Sequence, residues 1–337
     1  FIIIAIPLLL LSFFIGLVFV KRALRPVKNM TKTAQKISSE NLNFRLITNE
    51  SGDELDNLAK TFNELFFRLE RDFKRERQFT SDVSHELKTP LAVITGHANL
   101  LRRWGKSDTV QLDKSIEAII IESKSIQKII ENLLQLSRIE NGPFITYKKN
   151  LSLKKLFERL KRDFAVLASD ANIEICFPAG THDYFVYADE SMLYEIVTIL
   201  INNSVKYTSG SAQIVLRATV INEVRKNDLY TNKNILKESN NDIAVSVIDY
   251  GKGIDPKALP HVFERFYQYD SARTRNNVIF DASSGSGLGL SIAKALTEAM
   301  GSKVFIESPV KTCDTGSFHQ GTCVTIILPA SIDLSTL

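Results

Sequence analysis

Cysteine is scarce. Three residues (Cys176, Cys313 and Cys323) in a chain of 337 exclude a disulfide scaffold and fit a reducing compartment, with the thiols buried as small apolar groups. Cys313, His319 and Cys323 also lack the fourth ligand and the paired spacing of a metal site. An excess of one charge is missing too. The 42 Lys and Arg against 38 Asp and Glu leave a net +4, too mild and too dispersed for a nucleic-acid binder. There is no internal repeat. With 44% apolar and 24% charged residues, the composition excludes wholesale disorder, collagen and a many-span transporter. The length fits two or three domains.

Phe1 to Val20 carries no charge. At 1.5 Å per residue it spans about 30 Å, the thickness of a bilayer's hydrocarbon core, and Pro7 is tolerated in such a helix. A secretory signal would place basic residues before a shorter apolar run. Here Lys21, Arg22, Arg25 and Lys28 follow the run. The positive-inside rule then puts residues 21–337 in the cytoplasm and the chain in the inner or plasma membrane, against lipid. Because the chain opens at Phe1 inside the apolar run, an earlier span and an external part are expected to precede it.

Beyond the span, Leu55, Leu58, Phe62, Leu65 and Leu69 recur at spacings of 3, 4, 3 and 4, a heptad seam that wants partner helices. The stretches 38–43 and 48–53 read as a polar connector before it. Residues 71–141 read as a helical hairpin. Val83, Leu87, Leu91, Ile94, Ala98 and Leu101 stripe one helix, and Ile116, Ile119, Ser123, Ile126, Ile130 and Leu133 stripe the other. Two such helices bury their seams best in a dimeric four-helix bundle. After Asn141-Gly142-Pro143, apolar strand patterns at 173–177, 212–220, 243–248, 304–307 and 323–328 alternate with helical patterns at 153–170, 190–207 and 288–300. This is a mixed α/β domain. The polar stretch 222–242 is expected to be an enlarged, disordered hairpin loop.

Several short stretches carry chemistry. His85 lies about 200° round the helix from the Val83 seam, so it points outward. It sits in Ser84-His85-Glu86-Leu87-Lys88-Thr89-Pro90. A neutral imidazole is a nucleophile at pH 7, and Glu86 can hold one ring proton. Pro90 crowds the carbonyl of Glu86 and is expected to bend the helix there. Gly285-Ser286-Gly287-Leu288-Gly289 precedes a helix, where backbone N–H groups favour phosphate; it is neither a Walker loop nor a Rossmann turn. Asp249-Tyr250-Gly251-Lys252-Gly253 ends a strand with a carboxylate able to accept from an adenine amino group. In Asn203-Ser204-Val205-Lys206-Tyr207, the residues offer an oxygen for Mg²⁺, a charge for phosphate and a ring for a base. Phe263 and Phe266 are expected to pack under a lid at 268–284 that carries Arg273 and Arg275. Taken singly, each stretch also reads as ordinary surface, turn or helix-end chemistry.

Together and in this order they resemble a membrane-bound sensor histidine kinase of a two-component system. The resemblance implies a multidomain chain: a transmembrane helix at 1–20 and a HAMP helical coiled coil at 21–74, on Pro26 and Gly52-Asp53-Glu54-Leu55. A dimerisation and phosphotransfer hairpin follows at 75–142, then an α/β two-layer sandwich of GHKL (Bergerat) ATPase type at 149–331. It makes His85 the phosphoacceptor assisted by Glu86, and gives Glu86 and Thr89 a part in removing phosphate from the regulator. Asn203, Lys206 and Tyr207 match the N-box, with Asn203 toward Mg²⁺. Asp249, Gly251 and Gly253 match the first glycine box, Phe263 and Phe266 the F-box, and Gly285, Gly287, Leu288 and Gly289 the second glycine box, with Arg273 in the lid. Gly321-Thr322 is similar to the family's ending. ATP and Mg²⁺ are the implied cofactors; a second copy of the chain and a response-regulator receiver domain are the implied partners.

One position departs from that pattern. The N-box usually has a second Asn one turn before Asn203, where this chain has Ile199, which cannot ligate a metal. Ser204 replaces the usual Ala. Ile199 motivates a rival reading, a phosphatase-biased or kinase-deficient relay of the same fold. A GHKL conformational ATPase is a further rival, but it would not need His85-Glu86 on a hairpin and carries a carboxylate near position 199.

Overall fold

The computed structural model describes residues 10–21, 24, 27–28, 31, 45–46, 54–104, 109–142, 145–167, 171–177, 183–208, 212–221, 242–268, 286–311 and 318–331. The chain divides into two compact units, Phe1–His85 and Glu86–Leu337.

In the first unit, residues 10–21 are helical (α1). Their apolar side chains, Leu10 to Val20, are exposed. Among the described residues no helix is long and apolar enough to cross a membrane; residues 1–9 of the expected span lie outside that set. Helix α2 (Glu54–Trp104) begins in this unit, with Glu54 and Asp56 in its first turn, where carboxylates favour the positive end of the helix dipole. Its inward side is not the heptad seam. Ala59 is fully buried. The Asn63 side chain brackets the backbone of buried Leu46, accepting its N–H at 2.8 Å and donating to its carbonyl at 3.0 Å. Glu70 pairs with Arg45. The seam residues Leu58, Phe62, Leu65 and Leu69 stay open to solvent, and the side chain of Leu55 lies outside the described set. A row that faces outward at heptad spacing is what a coiled coil presents to another chain.

The second unit opens with the rest of α2 and with α3 (Thr109–Asn141). α2 continues through Pro90, which is buried. Between the helices, His97 Nδ1 lies 3.2 Å from the fully buried hydroxyl of Ser115. The expected stripes are split by the structure. Ile119, Ile126 and Leu133 are partly covered, joined by buried Ile129 and Leu136, whereas Ile116, Ser123 and Ile130 are exposed; on α2, Leu91 and Ala98 are exposed. A bundle helix with neighbours on two sides carries two apolar rows, and spacing alone does not say which row meets the near neighbour.

The α/β part runs β1 (Lys149–Ser152), α4 (Leu153–Leu167), β2 (Ala171–Cys176), β3 (Phe185–Ala188), α5 (Glu190–Tyr207), β4 (Ala212–Val220), β5 (Asp242–Asp249), α6 (Gly289–Ala299), β6 (Lys303–Glu307), β7 (Val310–Lys311), β8 (Phe318–His319) and β9 (Thr322–Pro329). The main sheet has the order β2-β4-β5-β9-β6, parallel at β2–β4 and antiparallel elsewhere. β1 pairs with β3, and β7 with β8.

Alternation along the strands sends Ile214, Leu216 and Ala218 of β4, and Ile243, Val245 and Val247 of β5, to one face, where α4, α5 and α6 cover them. α4 contributes Leu153, Leu156, Phe157, Leu160 and Phe164, a 3.6-residue stripe. Leu136 of α3 is buried in this same core. The opposite face carries a small cluster of Val215, Ile248 and Val310 with Cys176 and Cys323. Both of these cysteines are free thiols. α5 starts where sequence places it because Asp189 accepts N–H bonds from Ser191 and Met192 at 3.0 and 3.2 Å. Of the expected loop 222–242, Asp242 is instead the first residue of β5, and residues 222–241, like Cys313, lie outside the described residues.

Candidate functional site

The C-terminal end of α5 gathers most of the expected nucleotide residues. Asn203 is half-buried, and Ser204, one position on, is almost fully buried. Ser204 Oγ donates to Asp249 Oδ2 at 3.1 Å, and the Gly251 N–H donates to Asp249 Oδ1 at 3.0 Å. Burial pushes the Asp249 carboxyl above the ordinary range, while donors from Gly251, Ser204 and the Thr322 backbone oppose it. A carboxylate so placed at a strand end keeps lone pairs to accept further donors.

Lys206 and Lys252 place their ammonium groups 5.0 and 5.3 Å from the ring centre of exposed Tyr207. This flat, cation-flanked surface suits an aromatic anion.

The glycines explain themselves by what a side chain would strike. A Cβ at Gly251 would meet the Thr208 hydroxyl at 3.0 Å and the Tyr207 carbonyl at 3.1 Å. At Gly289, the first residue of α6, it would meet Ile199 Cγ2 at 3.3 Å and the Asn203 amide at about 4 Å. Gly289 thus brings the start of α6 against α5 at Asn203. Among the described residues no side chain caps α6, whose N-cap is Leu288, and an uncapped helix start directs N–H groups to an anion. Leu288 itself is fully buried in the core and anchors that start.

Phe266 and Gly287 meet backbone to backbone. The Phe266 N–H donates to the Gly287 carbonyl at 3.1 Å, and a Cβ on Gly287 would lie 2.7 Å from the Phe266 carbonyl carbon. Phe266 itself has φ 59, a left-handed backbone uncommon for a bulky residue. The described residues on either side of the expected lid are therefore held together at Phe266 and Gly287. Phe263 lies under Lys294 of α6, 5.9 Å from its ring centre. Gly285 and Arg273 lie outside the described residues.

Sequence reasoning missed one residue here, Ser308. Ser308 accepts the Ile254 N–H at 2.8 Å and donates to the Gly321 carbonyl at 2.7 Å, tying the loop after β5 to the start of β9. Gly321 sits so close that a Cβ would fall 2.2 Å from the Asp249 carbonyl oxygen. A lone Ser beside a Pro gives no sequence signal, whereas Gly321-Thr322 stands out in the sequence as similar to the family's ending.

On α2, His85 and Thr89 are exposed and Glu86 is half-buried. Among the described residues no group of His, Cys, Asp and Glu side chains could hold a metal ion. Of the expected site residues, only Asn203 offers a neutral amide oxygen beside the start of α6, which suits Mg²⁺ as one ligand among waters and phosphate oxygens.

Comparison with known proteins follows the same segmentation. Residues 18–71 match the HAMP domain, 75–142 the His Kinase A (phospho-acceptor) domain, and 188–332 the histidine kinase-, DNA gyrase B-, and HSP90-like ATPase. The sensor histidine kinase YkoH of Bacillus subtilis is 31% identical over 317 residues, 94% of this chain and 61% of that protein. The signal transduction histidine-protein kinase ArlS of Staphylococcus epidermidis is 28% identical over 301 residues, 89% of this chain and 60% of that one. The chain thus spans about 60% of the length of these curated relatives. Among solved structures, histidine kinase ThkA in complex with response regulator protein TrrA shares the fold at a TM-score of 0.53 and 20% identity, covering 79% of this chain and 66% of that one. With relay, phospho-acceptor and ATPase segments in one order along one polypeptide, the chain belongs to the sensor histidine kinases of two-component systems.

Proposed function

We propose that the chain is an ATP:protein-histidine phosphotransferase that phosphorylates itself on His85 and passes the phosphoryl group to an Asp of a response-regulator receiver domain. The observation that carries this reading is the convergence of Asp249, Asn203 and the uncapped start of α6 at the end of α5, on a chain whose phospho-acceptor segment presents His85 on an exposed helix position. When bound, Mg²⁺-ATP supplies the transferable γ-phosphoryl group. Asp249 accepts from the adenine amino group, and Tyr207 with its two lysines offers a surface to the base and phosphates. The α6 N-terminus binds phosphate oxygens, and Asn203 contributes an oxygen to the metal. The His85 imidazole attacks the γ-phosphorus with one nitrogen while Glu86 holds the proton of the other; the bond from that phosphorus to the β,γ-bridging oxygen breaks and ADP leaves. Catalysis rests on positioning and electrostatic stabilisation, as in phosphoryl transfer generally.

The open rows on α2 and α3 support a homodimer. The uncharged run 1–20 followed by a basic cluster supports a membrane helix with residues 21–337 on the cytoplasmic side, and the HAMP segment would relay its movement to the hairpin. The test is incubation of the full chain with γ-labelled ATP and Mg²⁺, beside His85→Gln and Ile199→Asn. Acid-labile, base-stable label that His85→Gln removes is expected. A second reading, a relay with muted kinase activity, draws on the packing of Ile199 against Gly289, where an alkyl group stands beside Asn203. Label seen only with Ile199→Asn would favour that reading, and label retained in His85→Gln would overturn both.

A further inference from the structure

We infer that Ser204 is a positioning residue for Asp249: its hydroxyl, spent on the carboxylate rather than on its own helix, fixes the orientation in which Asp249 meets a purine carrying a 6-amino group. The inference rests on the nucleotide reading of this pocket and adds to it a residue that sets base selectivity.

A serine or threonine inside a helix ordinarily donates back to a carbonyl of the preceding turn. In this molecule Thr80, Ser84, Thr95, Ser123 and Thr297 do so, each to the carbonyl four residues back at 2.7–3.0 Å. Ser204 does otherwise: its hydroxyl leaves α5 and reaches Asp249 Oδ2 on β5 at 3.1 Å. Ser204 is 5% exposed, so water does not compete for the bond. The other oxygen, Oδ1, takes the Gly251 N–H. These two bonds hold the carboxylate plane from α5 on one side and from the loop after β5 on the other.

An ionised carboxylate has about four acceptor sites, so with three donors on it one is left for a ligand. The donors acting on this carboxyl from α5, the loop and β9 are the Ser204 hydroxyl and the Gly251 and Thr322 N–H groups. The cations of the same elements, Lys206 and Lys252, lie over the Tyr207 ring. Ser204 is therefore the one side-chain donor among the described residues that orients Asp249, and an alanine would leave the Oδ2 side of the carboxylate without it.

The experiment is calorimetric titration of the full chain with ADP and with inosine diphosphate, whose ring has a carbonyl where adenine has its amino group. Ser204→Ala is expected to weaken ADP binding about tenfold, the scale of one hydrogen bond to a charged group, with inosine diphosphate binding unchanged, so the preference for adenine falls. Ser204→Thr, which keeps the hydroxyl, restores it. Equal weakening of both nucleotides, or no weakening of either, overturns the proposal, because a merely structural role would not separate the two bases. Asp249→Asn is run alongside. If it leaves ADP binding intact, the nucleotide reading itself falls; if it weakens ADP binding while Ser204→Ala does not, only the role of Ser204 falls.

Discussion

Gly287 and Gly301 stand near the two ends of α6 with almost the same backbone, φ 69 and φ 71, yet in different surroundings. A Cβ on Gly301 would meet only the Lys148 ammonium at 3.8 Å, the end of a flexible side chain. Gly301→Ala therefore pays only the left-handed penalty, about 1–2 kcal/mol. A Cβ on Gly287 would lie 2.7, 2.8 and 3.0 Å from the carbonyl carbon, Cα and carbonyl oxygen of Phe266. Carbon atoms rest at about 3.5–4.0 Å, so two backbones must part by close to an ångström. Phe266 is already held at φ 59 and has little freedom to yield, and parting breaks its 3.1 Å bond to the Gly287 carbonyl. The lost hydrogen bond and contacts add about 2 kcal/mol to the backbone penalty. Urea unfolding of the two variants should thus show Gly287→Ala less stable than Gly301→Ala by about 2 kcal/mol. ADP titration should show binding lost in the first and kept in the second. Equal losses of stability in the two variants would refute the argument that contact with Phe266, rather than φ, demands glycine at 287.

Gly321→Ala is expected to be more damaging still, because its Cβ would overlap the Asp249 carbonyl oxygen at 2.2 Å. A loss of about 3 kcal/mol or more should appear as a lowered melting midpoint, and an unchanged midpoint would contradict the contact. The Cys323 thiol is pushed up to about 11, by burial first and then by the charge of Glu307, against the opposing Thr325 and Arg217. The folded chain keeps that proton while the unfolded chain loses it, so stability should fall as pH climbs from about 9 to about 11. The difference between wild type and Cys323→Ala over that window should be about 2–3 kcal/mol, read by denaturant unfolding at each pH. Asp189→Ala should cost about 1–2 kcal/mol through the lost N-cap of α5. Burial pushes the Asp189 carboxyl up, but bonds from Ser191, Tyr147 and Met192 outweigh it and hold it below the ordinary range. Its contribution is therefore present at neutral pH and fades in acid, so wild type and variant should converge as pH falls.

Where local pattern and tertiary role agree, the elements were legible. β4 and α5 run from Ala212 to Val220 and from Glu190 to Tyr207, the bounds their apolar patterning and cap residues announce. The stretches around Asn203, Asp249 and Gly287 were also readable, because turns and helix ends that must stay bare need glycine and small polar residues. β1 and β3 were not readable. Each is four residues long, and Lys149 pairs with Ala188 across nearly forty positions; neither stretch stands out as apolar. The stripes on α2 and α3 were readable as apolar but not as inward or outward, since that choice depends on neighbours. Ser204 looked like a small departure from Ala, and only the fold brings β5 within reach of its hydroxyl. Ser308 likewise acts through partners more than ten residues away along the chain.

The outward rows have a thermodynamic consequence. Leu58 and Leu65 in the first unit, and Leu91, Ile120 and Leu134 in the second, stand largely open on α2 and α3 of a single chain, apolar side chains of the kind a partner covers. If a second copy covers them, folding and association become one equilibrium, and the melting temperature ceases to be a constant of the molecule. It rises with protein concentration. Dilution alone would then loosen the hairpin that carries His85, so the abundance of the chain would itself set how much of it is assembled to work.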